Sequence, residues 1–115
     1  MEKNLEMNET EVRKLIKSIV RSELEAEGFK VEKIILFGSR ARGDYDELSD
    51  WDIFVIVDKD LDFKTKRKIA SRIRLRLADF RIPVDIIIKS RNAVNIERDN
   101  VGYLTYYAIR EGVEI

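Results

Sequence analysis

A chain of 115 residues with 44% hydrophobic content has room for one domain around one modest core. Its 22 basic and 22 acidic side chains cancel, which argues against a dominant sequence-independent grip on nucleic acid, since that needs a broad positive surface. With neither cysteine nor histidine present, disulfides, thiol chemistry, cysteine-ligated zinc and the commonest general base are excluded. Any catalysis then rests on carboxylates, hydroxyls, lysine or arginine, and the metal that suits such groups is a hard cation such as Mg²⁺. No apolar run nears the roughly 20 residues that cross a bilayer, and Met1-Glu2-Lys3-Asn4 has no signal-peptide core. A cytoplasmic protein without membrane contact is expected.

Residues 1 to 8 read as a flexible lead-in. Asn8 and Glu11 have capping-box spacing, and Val12, Leu15, Ile16, Ile19, Val20 and Leu24 recur on one helical face, so a core-covering helix is predicted up to a stop near Gly28. Residues 31 to 37 form a buried strand. A turn over 38 to 43 follows, with a short helix opening at Ser39, and a second strand spans 51 to 58. The polar stretch Asp58-Lys59-Asp60-Leu61-Asp62 leads to a helix over Phe63 to Ala78 with Ile69, Ile73 and Leu77 inside. Pro83 opens a third strand, Val84 to Ile88. Ser90 or Asn92 caps another helical segment, a last helix runs from about 100 to 111, and Val113-Glu114-Ile115 is left as a tail. No repeat or linker divides the chain. One domain over residues 1–115 is expected: an α+β fold with a small mixed sheet packed against helices.

Two breaks in the apolar pattern carry the chemistry. The first is Gly38-Ser39, directly after a strand. Gly38 lets the backbone turn sharply and a ligand approach closely, while Ser39 offers a hydroxyl and a helix start whose free N–H groups favour an anion. Arg40 and Arg42 stand nearby as phosphate-binding candidates. Alone, such a pair is most often only a turn. The second break is Asp50-Trp51-Asp52. Alternation along a strand puts both aspartates on one face, where they repel unless a cation or proton intervenes; on this pair alone, solvated aspartates at a strand end are the commoner reading. Asp85, set among Val84 and Ile86-Ile87-Ile88, is costly in a buried sheet unless paired to an arginine or metal-bound. If the third strand lies beside the second, three carboxylates converge, which is the ligand set of a two-metal phosphoryl-transfer site.

Gly38-Ser39, ten residues, Asp50-x-Asp52 and a later lone Asp85 resemble the minimal nucleotidyltransferase family of the polymerase β superfamily over about residues 31 to 90. Trp51 departs from the aliphatic residue usual there, but it faces away from the carboxylates. The resemblance implies the polymerase β-like nucleotidyltransferase fold, with Gly38 and Ser39 on the triphosphate of an incoming nucleotide, and Arg40 or Arg42 steadying it. It further implies that Asp50 and Asp52 ligate two Mg²⁺ ions, and that Asp85 ligates the catalytic one and helps deprotonate an attacking hydroxyl. The donor is expected to be ATP. The partner is expected to be a helical toxin of the HEPN type, silenced when AMP is transferred to its tyrosine, so that the chain is the antitoxin of the pair. Two alternatives stand beside this: a module that neutralises its partner by contact alone, and a nucleotidyltransferase acting on a small molecule or an RNA end.

Two further features stay open. Residues 64 to 81 are locally basic through Lys64, Lys66, Arg67, Lys68, Arg72, Arg74, Arg76 and Arg81. A solvated face balanced by the acidic first helix is favoured over a patch for an acidic partner or RNA. Tyr103, Leu104, Tyr106, Tyr107 and Ile109 exceed one helical stripe, which suits either core packing or an interface. Oligomeric state, including self-association, is not legible.

Overall fold

The computed structural model describes residues 7–115. Helix α1 (Glu9–Ala26) starts as its sequence predicts: the Asn8 side chain accepts the Glu11 N–H at 2.9 Å, and the Glu11 carboxylate accepts the Asn8 N–H at 3.1 Å. Most of the expected lead-in, residues 1–6, lies outside the described residues; Met7 already packs against the core. α1 ends in a Schellman turn, in which Phe29 N–H donates to the Leu24 carbonyl and Gly28 N–H to that of Glu25. There follow β1 (Val31–Phe37), α2 (Ser39–Arg42), β2 (Trp51–Val57), α3 (Phe63–Ala78), β3 (Val84–Ser90), α4 (Arg91–Glu97), α5 (Leu104–Glu111) and β4 (Val113–Glu114).

The strands form one mixed sheet in the order β3-β2-β1-β4. β1 runs antiparallel to β2 and to β4, while β2 and β3 are parallel and joined through α3. Both sheet faces are covered, which explains why β2 is buried almost continuously. On one face, α1 and α3 pack over Trp51, Ile53, Val55 and Val57 of β2 and Ile86 and Ile88 of β3. On the other, α4 and α5 bring Val94 and Ala108 against Ile35, Phe54 and Ile56. The stripe predicted for α3 is buried, with Ala70 added. Its N-cap is Asp62, whose carboxylate accepts the Thr65 N–H at 2.7 Å. For α4 the cap is Ser90.

Two expectations are corrected. The tail at 113–115 is an edge strand: Val113 and Glu114 pair with Leu36 and Ile35, and Ile115 N–H donates to the Ile34 carbonyl. Three residues are too short a signal to announce a strand; β1's open edge supplies the partner. The last helix starts at Leu104 rather than near 100, because the Asn100 side chain takes the Gly102 N–H at 2.9 Å and closes a local turn. The aromatic crowding in α5 divides between inside and outside. Ala108 and Thr105 are buried and Ile109 packs on the second core, while Tyr103, Leu104 and Tyr107 are exposed, with Ile96 and Val101 nearby in sequence. In the basic stretch, Lys68 and Arg72 pair with Glu27, and Arg76 pairs with Glu23 of α1.

Gly112 is the joint that lets β4 fold back. A methyl group there would overlap the Ile35 side chain and the Ala108 carbonyl. Gly112→Ala is expected to lower stability in urea denaturation by about 1–3 kcal/mol, the usual cost of forcing extra atoms into packed structure.

Candidate active site

The break at residue 38 has a backbone only glycine adopts comfortably. Gly38 has φ 72° and ψ −156°, a combination closed to side chains that carry a Cβ. Space demands glycine as well, because a Cβ at this position would collide with the Asp52 carboxylate. The first strand therefore ends with its main chain close against the Asp52 side chain of the second. Ser39 opens α2, and the N–H groups of Ser39 and Arg40 occupy its first two positions, where a helix supplies no partner. The Ser39 side chain makes no hydrogen bond among the described residues. α2 is a single turn, closed by Gly43 N–H on the Ser39 carbonyl at 2.9 Å, so its axial dipole is small and any hold on an anion would depend on individual N–H groups.

β3 lies beside β2 as the sequence argument required, in a register that sets Asp52 opposite Asp85. Asp52 shares its face with Phe54 and Ile56; Trp51 points into the other core, as expected. One premise is corrected. Asp85 is exposed rather than buried, since its strand begins at the sheet's rim with the pattern exposed-then-buried from Asp85 to Ile86. It makes no ion pair among the described residues. Asp50 lies on the last loop residue before β2, not within the strand.

Asp52 is the electrostatic focus. Its carboxyl is pushed above the ordinary carboxylate value, first by burial, then by the negative charges of Asp85 and Asp50, with Arg42 acting in opposition. The expected convergence of three carboxylates is not reached: the charges of Asp50 and Asp85 act on Asp52, but no group of three potential metal ligands is drawn together among the described residues. The donor chemistry nevertheless fits Mg²⁺. All three side chains offer hard oxygen, the ion tolerates a site completed by water and phosphate, and a cation is what would relieve the repulsion that Asp52 feels.

The two arginines part company. Arg42 is more than half exposed and touches Asp44 at 3.2 Å; its charge reaches Asp52. Arg40 is turned inward, 10% exposed, with Nε and Nη2 both donating to the Ser49 carbonyl at 3.2 and 3.0 Å. Its guanidinium carbon lies 4.5 Å from the Tyr45 ring centre and 4.6 Å from that of Trp51. Tyr45 and Glu9 escaped the sequence reading. The Glu9 carboxylate faces the Tyr45 hydroxyl, holds its pKa above the ordinary phenol value, and approaches Arg40 Nη1 at 4.0 Å. No spacing rule links position 9 to position 45; only the packing of α1 beside the loop joins them.

Residues 13–114 match the family described as polymerase beta nucleotidyltransferase. The chain belongs to this family and has its α+β nucleotidyltransferase fold. A solved structure described as a "putative minimal nucleotidyltransferase" is similar with a TM-score of 0.62 at 23% identity, over 97% of this chain and 100% of that one. A toxin–antitoxin structure with AMP-PNP is similar with a TM-score of 0.56 at 19% identity, over 85% of this chain and 70% of that one. At these identities the likeness is one of fold. The protein named "Putative protein adenylyltransferase MJ0141", from Methanocaldococcus jannaschii, is 50% identical over 50 residues, 41% of this chain and 50% of that protein. The match thus spans about half the length of this curated relative.

Gly38→Ala is expected to cost about 1–3 kcal/mol of stability through backbone strain, read in urea denaturation, with further loss from the collision at Asp52. The Asp52 shift makes a second prediction. Because its folded pKa is raised, ionised Asp52 is penalised in the native state; the penalty is complete above the raised value and absent below the unfolded value, near 3.8. In calorimetry without divalent cations, Asp52→Asn should melt higher than the parent at pH 7. The gap should close as the pH is lowered through the carboxylate range.

Proposed function

We propose that the protein transfers AMP from ATP to a hydroxyl group in a Mg²⁺-dependent reaction, and that the acceptor is a tyrosine of a partner toxin of the HEPN type, which makes the chain an antitoxin. The observation that carries the reading is the register of Asp52 with Asp85, beside Asp50 and under the Gly38 main chain. The name of the adenylyltransferase relative supports the choice of nucleotide and reaction. The toxin–antitoxin neighbour, described with an ATP analogue, supports the choice of partner.

In this reaction the acceptor oxygen bonds to the α-phosphorus of ATP, the bond to the pyrophosphate oxygen breaks, and the hydroxyl proton must leave. Asp50, Asp52 and Asp85 would hold Mg²⁺, which supplies charge neutralisation on the phosphates when bound. Asp85, exposed at the strand start, would take the acceptor's proton. Gly38 lets its main chain lie against Asp52, the Ser39 hydroxyl and N–H would donate to the triphosphate, and Arg42 would reach it from solvent. Such chemistry depends mainly on positioning and preorganised charge, which suits a chain without histidine.

The test is a transfer assay with labelled ATP, Mg²⁺ and the candidate HEPN toxin. Label should appear on a toxin tyrosine. Asp52→Asn and Asp85→Asn should each lower the rate by at least about 100-fold, the scale on which aligned catalytic groups act. Neutralisation of the toxin without label transfer would replace this reading with inhibition by contact. Label on RNA or a small molecule alone would change the acceptor.

A further inference from the structure

Sequence reasoning groups Arg40 with Arg42 as arms for phosphate, and the structure separates them. We propose that Arg40 is a positioning residue: forked onto the Ser49 carbonyl between the rings of Tyr45 and Trp51, it sets where the neighbouring Asp50 carboxylate stands and leaves the phosphates to Arg42. This inference rests on the nucleotidyltransferase reading of the site.

Three observations lead to it. The first is how fully the guanidinium is engaged. Two donors go to one carbonyl oxygen, at 3.2 and 3.0 Å. Aromatic rings lie within 4.6 Å of its central carbon, inside the range of cation–π attraction. A third nitrogen approaches Glu9 at 4.0 Å. Reaching a phosphate would forfeit the forked hydrogen bond and both ring contacts together. Arg42 stands in contrast, mostly in solvent with a single exposed acidic neighbour.

The second observation is where the fork lands. The carbonyl of Ser49 belongs to the planar peptide that leads into Asp50, so fixing that oxygen fixes the plane from which Asp50 departs. Arg40 itself sits on α2, one residue beyond Ser39. The clasp therefore joins the phosphate cradle and the first aspartate of the pair into one unit, although ten residues separate them in the chain.

Third, apart from Arg42 Nε on the Asp44 carboxylate at 3.2 Å and Glu9 facing the Tyr45 hydroxyl, the intervening loop is held by local hydrogen bonds among the described residues: Leu48 N–H to the Asp46 carboxylate at 2.8 Å, Asp46 N–H to the Ser49 hydroxyl at 3.1 Å, and Ser49 N–H to the Asp46 carbonyl at 3.2 Å. These shape the turn without tying it to the rest of the molecule. Tyr45, backed by Glu9 of α1, and Trp51, anchored in the main core, form the walls that orient the guanidinium. Lysine supplies charge but neither the planar fork nor the stacking.

The test compares Arg40→Lys and Arg40→Gln with Arg42→Gln and Asp50→Asn in Mn²⁺ titration, steady-state transfer and hydrogen exchange of residues 43–50. Positioning predicts that both Arg40 variants lower kcat by about 10- to 100-fold, the scale of a misplaced reacting group, with KM for ATP changed less than about threefold. It also predicts weakened Mn²⁺ binding, as in Asp50→Asn, and faster exchange across 43–50. Arg42→Gln, which loses its own contact with Asp44, should do the reverse, raising KM with exchange of residues 46–50 unaltered. Emission from Trp51, the single tryptophan, should change in the Arg40 variants alone. Wild-type kcat and exchange in Arg40→Lys would overturn the proposal, as would a raised KM for ATP with unchanged Mn²⁺ binding. Should the Arg40 variants fail to fold, Tyr45→Leu opens one wall of the clasp and must give the same exchange and Mn²⁺ changes, or the proposal falls. Should the wild type and Asp50→Asn bind Mn²⁺ equally and neither transfer AMP, the nucleotidyltransferase reading fails, and exchange alone then judges the clasp.

Discussion

The arrangement depends on a repulsion held in place by backbone. Asp52 is half-buried, set opposite Asp85 by the parallel register of β2 and β3, and close enough to Asp50 to feel its charge. Left to themselves, three like charges would separate. They are held because each belongs to a different constraint: a central strand, a rim position on its neighbour, and a loop end stitched to α2. The Asp52 carboxylate also occupies the space a side chain at position 38 would need. Burial first, and these like charges after it, hold the Asp52 carboxyl above the ordinary carboxylate value.

Around that point the fold behaves as a frame. α1 and α3 bury one sheet face fully, and their own contact is reinforced by the pairing of Glu23 and Glu27 with Arg72, Arg76 and Lys68. Such exposed pairs contribute little each; their main consequence is that the basic stretch of α3 is partly neutralised from within. The other face is covered by α4 and α5, with Asp85 left exposed at the strand start. Exposed Tyr103, Leu104 and Tyr107 lie on or beside α5.

Residue types and spacing made much of this legible. The capping box at Asn8, the α3 boundaries and the three long strands follow from local rules, because each is decided by neighbours within a turn or by strict apolar runs. Gly38 and the three aspartates stood out because they interrupt apolar runs where only a ligand or a turn rewards the interruption. Edge strand β4 escaped notice, since two residues carry no periodicity, and so did the late start of α5, which a single Asn100 side chain decides.

What the sequence determined by itself was the inventory: carboxylates and hydroxyls without histidine, a glycine at a turn where a side chain is forbidden, and strands long enough to carry Asp52 and Asp85. What tertiary structure decided was which of these groups meet and which do not. Register placed Asp85 opposite Asp52, yet at the rim rather than in the core. The packing of α1 against the loop brought Glu9 and Tyr45 to Arg40 and turned that arginine inward, while its neighbour two residues on stayed in solvent. Both arginines look alike in the chain because charge and spacing are local properties. Their separation is a matter of which rings and carbonyls the folded backbone brings within reach, and pairs so distant in sequence obey no local rule.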